Sequence, residues 1–113
     1  MQRKKKWVLL AALPCVLAAA DIGSAGNYSP GASDTEIVIG NIMPYSGPAS
    51  AYGTIGRAEK AYFDMVNAKG GINGRKVRFI SVDDGYSPPK TVEQARRLVE
   101  QEQVLLIDRK SVV

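Results

Sequence analysis

The residues best suited to chemistry in this sequence are Tyr45, Ser46 and Tyr52, crowded into the stretch 44–52 together with Gly47 and Pro48. Hydroxyls of this kind donate and accept hydrogen bonds, and a tyrosine adds an apolar face behind its polar tip. Such a set suits the capture of a small solute. Covalent catalysis lacks its usual parts: the chain has no His, and its single cysteine, Cys15, sits in an apolar run near the start. Without an imidazole, and with no thiol outside that run, no nucleophile and base can be paired, so no catalytic role is expected. Asp83 and Asp84 are adjacent and stand without other ligand types nearby, which marks them as turn and capping carboxylates. No metal and no cofactor is expected.

The elements that must position these residues follow from hydrophobic period. Ile37, Val38, Ile39, Ile42 and Met43 form a nearly continuous β-branched run, the pattern of a strand buried on both faces. The stretch 44–52 is a loop, broken by Pro44, Gly47 and Pro48. A helix is predicted over 53–69, with Ile55, Ala58, Tyr62, Met65 and Val66 as its apolar stripe and Gly70-Gly71 as its stop. A second strand is predicted over 76–82 and a second helix over 91–103, the latter with Val92, Ala95, Leu98 and Val99 on one face. Val104-Leu105-Leu106-Ile107 opens a third strand. The order β-α-β-α-β is the start of an open, mostly parallel, doubly wound α/β sheet.

Charge and length bound the rest. The formal net charge is +4, but Arg3, Lys4, Lys5 and Lys6 carry it; removing these four from the 15 basic residues leaves 11 against 11 acidic ones. No basic stripe remains to follow a phosphate backbone, so no nucleic-acid partner is expected. Those four residues precede an apolar run from Trp7 to about Ala20 that Asp21 ends, with small residues at Ala18-Ala19-Ala20 and Gly23-Ser24-Ala25. This is the layout of a cleavable export leader over 1–25, cut after Ala20 or Ala25, with Cys15 removed in it. The run is too short for a spanning helix, so no stable membrane anchor is expected. Residues 26–35, rich in Gly, Ser and Pro, read as a flexible mature N-terminus. The organised part is then 36–107, a partial lobe, because a buried third strand needs further neighbours that this sequence does not supply. The hexapeptide 108–113 (Asp-Arg-Lys-Ser-Val-Val) breaks the apolar pattern. Its back-translation resembles a sequencing-library adapter, and it is expected to be a non-native tail.

Four stretches together resemble one family. Ile37-Val38-Ile39-Gly40 leads into Met43-Pro44-Tyr45-Ser46-Gly47-Pro48; Tyr52-Gly53 opens the first helix; Asn67-Ala68-Lys69-Gly70-Gly71-Ile72-Asn73-Gly74-Arg75 joins helix to strand; and Asp83-Asp84 precedes Pro88-Pro89-Lys90. In order and spacing they are similar to the branched-chain amino-acid-binding family of periplasmic proteins, the capture subunits of ABC importers. That resemblance implies a type I periplasmic binding protein fold and a periplasmic location. It also implies a small-molecule solute, an amino acid or related carboxylate, and an ABC permease as partners. It places an aromatic ligand contact at Tyr52, with Ser46 and Tyr45 as weaker candidates. The family's carboxylate clamp after its third and fourth strands, and its second lobe, have no counterpart in these residues. This polypeptide is therefore expected to bind no solute on its own.

Two alternatives share the topology. A dinucleotide-binding enzyme would need G-x-G-x-x-G in a tight strand-to-helix turn; here Gly47, Gly53 and Gly56 are spread across a Pro-containing loop. A ligand-sensing ectodomain on the same fold would be marked by a transmembrane span downstream.

Overall fold

In a computed structural model of the chain, residues 26–109 are described. The predicted leader over 1–25 and the last four residues of the predicted tail lie outside them. The described elements run β1 (Glu36–Met43), a single 3-10 turn (Ser50–Tyr52), α1 (Gly53–Ala68), β2 (Lys76–Asp83), α2 (Pro88–Glu100) and β3 (Leu106–Arg109). The three strands form one parallel sheet in the order β2-β1-β3. Glu36 pairs with Lys76 at one end of β1 and Met43 with Asp83 at the other, while Ile39 to Ile42 pair with Leu106 to Arg109.

The helices lie on opposite faces of this sheet. Successive strand residues point to opposite sides. Asn41 reaches Glu59 of α1 at 2.8 Å, whereas a Cβ on the preceding Gly40 would meet Leu98 of α2 at 3.1 Å. The sheet is thus doubly wound around β1, as the element order predicts. Val38, Ile42, Met43, Val77 and Leu98 make the buried apolar core. Each contributes about 1.5–3 kcal/mol by leaving water.

Three boundaries and one helix face differ from the sequence reading. The helix predicted over 91–103 begins three residues earlier, with Pro88 and Pro89 in the first positions of α2. The first turn of a helix has no use for those N–H groups and accepts proline's fixed φ. The helix also stops earlier, at Glu100, and Gln103 turns the chain at φ 50°. β3 begins two residues later than the apolar run and continues through Asp108 and Arg109; Val104 still gives its N–H to the Leu98 carbonyl of α2, and Leu105 makes the first contact with β1, at the Val38 carbonyl.

Most of the stripe predicted to bury α1 faces outward: Ile55, Tyr62 and Met65 are 39%, 59% and 44% exposed, Ala58 is exposed too, and only Val66 turns inward. The inward face is Gly53, Gly56, Glu59, Phe63 and Val66, largely the same spacing moved by one residue. One residue is about 100° of helix rotation. Gly56 decides the rotation, since a Cβ there would fall 2.9 Å from Met43 Cγ and onto the Tyr45 hydroxyl. Close approach at a glycine outweighs the apolar moment. Among the Val92, Ala95, Leu98 and Val99 stripe of α2, Leu98 is fully buried while Val92 and Val99 stay exposed.

Residues 26–35 hold neither helix nor strand, but they have defined contacts at the amino end of the sheet. Val38 donates its N–H to the Gly31 carbonyl at 2.7 Å, and the Arg75 guanidinium lies 5.0 Å from the centre of the Tyr28 ring.

Candidate functional site

The carboxyl ends of the strands carry two connections, the loop 44–52 after β1 and the turn 83–87 after β2. In an open α/β sheet this edge, near the point where strand order reverses, is where ligands bind. The reversal falls at β1, between β2 and β3.

Asp83 fastens the two connections together. Its Oδ1 accepts the backbone N–H of Tyr45 at 2.8 Å, of Ser46 at 3.1 Å and of Gly85 at 2.9 Å, and its Oδ2 accepts the Ser46 hydroxyl at 2.5 Å. The Ser46 hydroxyl first, then these backbone donors, hold the carboxyl down at about 2, from an ordinary 3.8. Donors that bind the charged form favour it. Asp84 is buried instead. It accepts the Thr91 hydroxyl at 2.6 Å and the Tyr86 N–H at 2.9 Å, tying the turn to the first part of α2. Both acids therefore serve the turn, as their adjacency suggests, and Asp83 reaches across to the neighbouring loop as well.

The three predicted site residues are brought onto one loop with different surroundings. Tyr52 closes the 3-10 turn just before α1 and is 47% exposed at this edge. Ser46 is exposed and gives its one hydroxyl proton to Asp83, which leaves its lone pairs as acceptors. Tyr45 turns back under α1: its hydroxyl bonds that of Ser81, and Arg57 stands 5.8 Å from its ring centre.

Below Tyr45 lies a polar row that the sequence reading passed over. Ser81, Asn41 and Asp108 face one another across β2, β1 and β3. Ser81 donates to Asn41 Oδ1 at 2.6 Å; Asn41 Nδ2 donates to Glu59 at 2.8 Å and to Asp108 at 3.1 Å. Burial raises the Glu59 carboxyl above its ordinary range, and the neighbouring Asp108 adds to the effect. Asn41, completely buried, was visible as the one polar side chain within the apolar run of β1. The row satisfies itself internally and supports the loop from beneath. Among the described residues no group of His, Cys, Asp or Glu could hold a metal ion, and no helix is long and apolar enough to cross a membrane.

A parallel, doubly wound sheet with a hydroxyl-rich loop at its carboxyl edge defines the class: the start of an open α/β lobe. The family profile described as "Periplasmic binding protein" matches residues 36–108. The chain belongs to this family. Among its relatives, the Leu/Ile/Val-binding protein of Escherichia coli is 37% identical over 70 residues, which cover 60% of this chain and 18% of that one. Two solved structures superpose with a TM-score of 0.61. One is the branched-chain amino-acid transporter substrate-binding protein LivJ from Streptococcus pneumoniae in complex with isoleucine, 28% identical, with 65% of this chain and 21% of that one covered. The other is a fatty acid ABC transporter substrate-binding protein from Thermomonospora curvata, 31% identical, with 70% and 20% covered. The chain spans about a fifth of the length of these relatives. They are binding proteins, and the fold is that of the type I periplasmic binding proteins among them.

Proposed function

We propose that this chain forms the opening of the first lobe of an extracytoplasmic solute-binding protein. In this reading the protein captures an amino acid or related small carboxylate and delivers it to an ABC permease, without catalysis. The observation that carries the reading is the Asp83 clasp, which fixes the loop 44–52 at the carboxyl edge against the turn 83–87. Such a loop is pre-organised, and a helix start beside it favours an anionic group on the solute. Tyr52 provides the aromatic contact, Ser46 offers acceptor lone pairs, and Tyr45 shapes the loop from below. The relatives named above bind solutes as different as isoleucine and a fatty acid by their titles, so a carboxylate with an apolar body is the class they share.

A binder of this kind works by burying its solute between two lobes that close on a hinge. Residues 26–109 form one wall of such a cleft, and in this reading they bind no solute tightly alone. The leader over 1–25 takes the protein across a membrane and is then removed. The experiment is isothermal titration of the full-length gene product with aliphatic and aromatic amino acids, short carboxylates, fatty acids and NAD. Micromolar binding of a carboxylate supports the proposal. A product that binds NAD alone, or none of the panel, overturns it.

A further inference from the structure

The turn after β2 places a bulky residue where its geometry disfavours one. Gly85 and Tyr86 have φ of 56° and 62°, and the Ser87 N–H closes the turn on the Asp84 carbonyl at 3.0 Å. Positive φ at both central positions is the mark of a type I′ turn, whose usual occupants are Asn, Asp and Gly. A large aromatic with φ in this region is an outlier. Packing gives no reason for it, since Tyr86 is 42% exposed. Its backbone, in contrast, is held firmly. Asp84 accepts the Tyr86 N–H at 2.9 Å, and Asp83 accepts that of Gly85 at 2.9 Å. Residues kept in sparsely populated conformations persist where the surroundings over-determine them, and they gather at ligand clamps.

The same turn abuts the loop that carries the other candidates. The Gly85 carbonyl oxygen lies 2.9 Å from where a Cβ on Gly47 would sit, and Ser46 Oγ lies 3.3 Å from the corresponding point on Gly85. Gly85 thus abuts the Ser46-Gly47 bend, and Tyr86 follows it in the same turn, at the edge that also exposes Tyr52. We propose that Tyr86 is a second aromatic contact of the solute site, selecting carboxylates with an apolar or planar body over small polar ones. The proposal rests on the reading of this edge as a solute cleft.

The test uses the full-length gene product and its best-bound solute from the titration panel. Tyr86→Gly relaxes the turn, so the unliganded variant should melt no lower than wild type, while its affinity falls at least about tenfold, the loss expected of an aromatic contact. Tyr86→Phe should restore affinity to within about threefold, because the ring face supplies most of such a contact. If Tyr86→Gly keeps wild-type affinity, the assignment of Tyr86 fails while the cleft reading stands. If the variant melts well below wild type, Tyr86 is a structural residue and the assignment fails as well. If the wild-type protein binds no carboxylate, both readings fall together.

Discussion

Replacing Asp83 by Ala should release the loop 44–52 from the turn 83–87 without unfolding the sheet. The side chain accepts the N–H groups of Tyr45, Ser46 and Gly85 and the hydroxyl of Ser46. Hydrogen bonds to a charged acceptor contribute about 1.5–3 kcal/mol each when sheltered. Asp83 is exposed, however, and water can replace it at each freed donor, so the total loss is discounted to about 1–2 kcal/mol. That corresponds to amide exchange at Tyr45, Ser46 and Gly85 about 5- to 30-fold faster in the variant. Exchange at Val38 and Val77, in the paired strands, should change little. The carboxyl is held at about 2, below its ordinary 3.8, so its contribution is present above pH 4 and is lost as pH falls from 4 through 2. The same three amides should therefore lose protection over that window in wild type and show no such transition in Asp83→Ala. Equal exchange rates in the two proteins, or acceleration that spreads evenly over the sheet, would refute the clasp.

Three further outcomes follow from packing. Gly56→Val should cost about 1–3 kcal/mol in urea unfolding, because the added carbons meet Met43 and Tyr45. The rotation of α1 is tested by neighbours: Tyr62→Ser, at an exposed position, should shift stability by no more than about 0.5 kcal/mol, whereas Phe63→Ala should cost at least about 2. Equal costs for the two would restore the stripe predicted from sequence. Leu98→Ala, at a fully buried site, should cost about 2.7–5 kcal/mol by the same measurement.

Much of this architecture is legible in the residues. The β-branched run at 37–43 and the Gly70-Gly71 stop locate β1 and the end of α1 to within a residue, because strand burial and left-handed helix termination act locally. The face of α1 is not legible in the same way. Its apolar residues at 55, 58, 62 and 65 have helical spacing, but Gly56 admits the Tyr45 ring, and that tertiary contact is invisible to periodicity. The start of α2 lies three residues before the predicted one, because proline interrupts a helix only beyond its first turn and Pro88 and Pro89 stand within it. In the candidate site, Asp83 was recognised as a turn carboxylate, but its reach to Tyr45 and Ser46, 38 and 37 residues away in sequence, comes from the β1–β2 register. Tyr86 carries no sequence signal beyond its place after Gly85; only its φ marks it.

The claim that the carboxyl edge of this lobe is the solute site is tested most directly by mapping where solute protects the protein. Hydrogen–deuterium exchange of the full-length product, with and without its bound carboxylate, should show slowing concentrated in peptides spanning 44–53 and 83–87. Slowing confined to the amino end, around 31–38 and 102–103, or no change at either loop on binding, would contradict it.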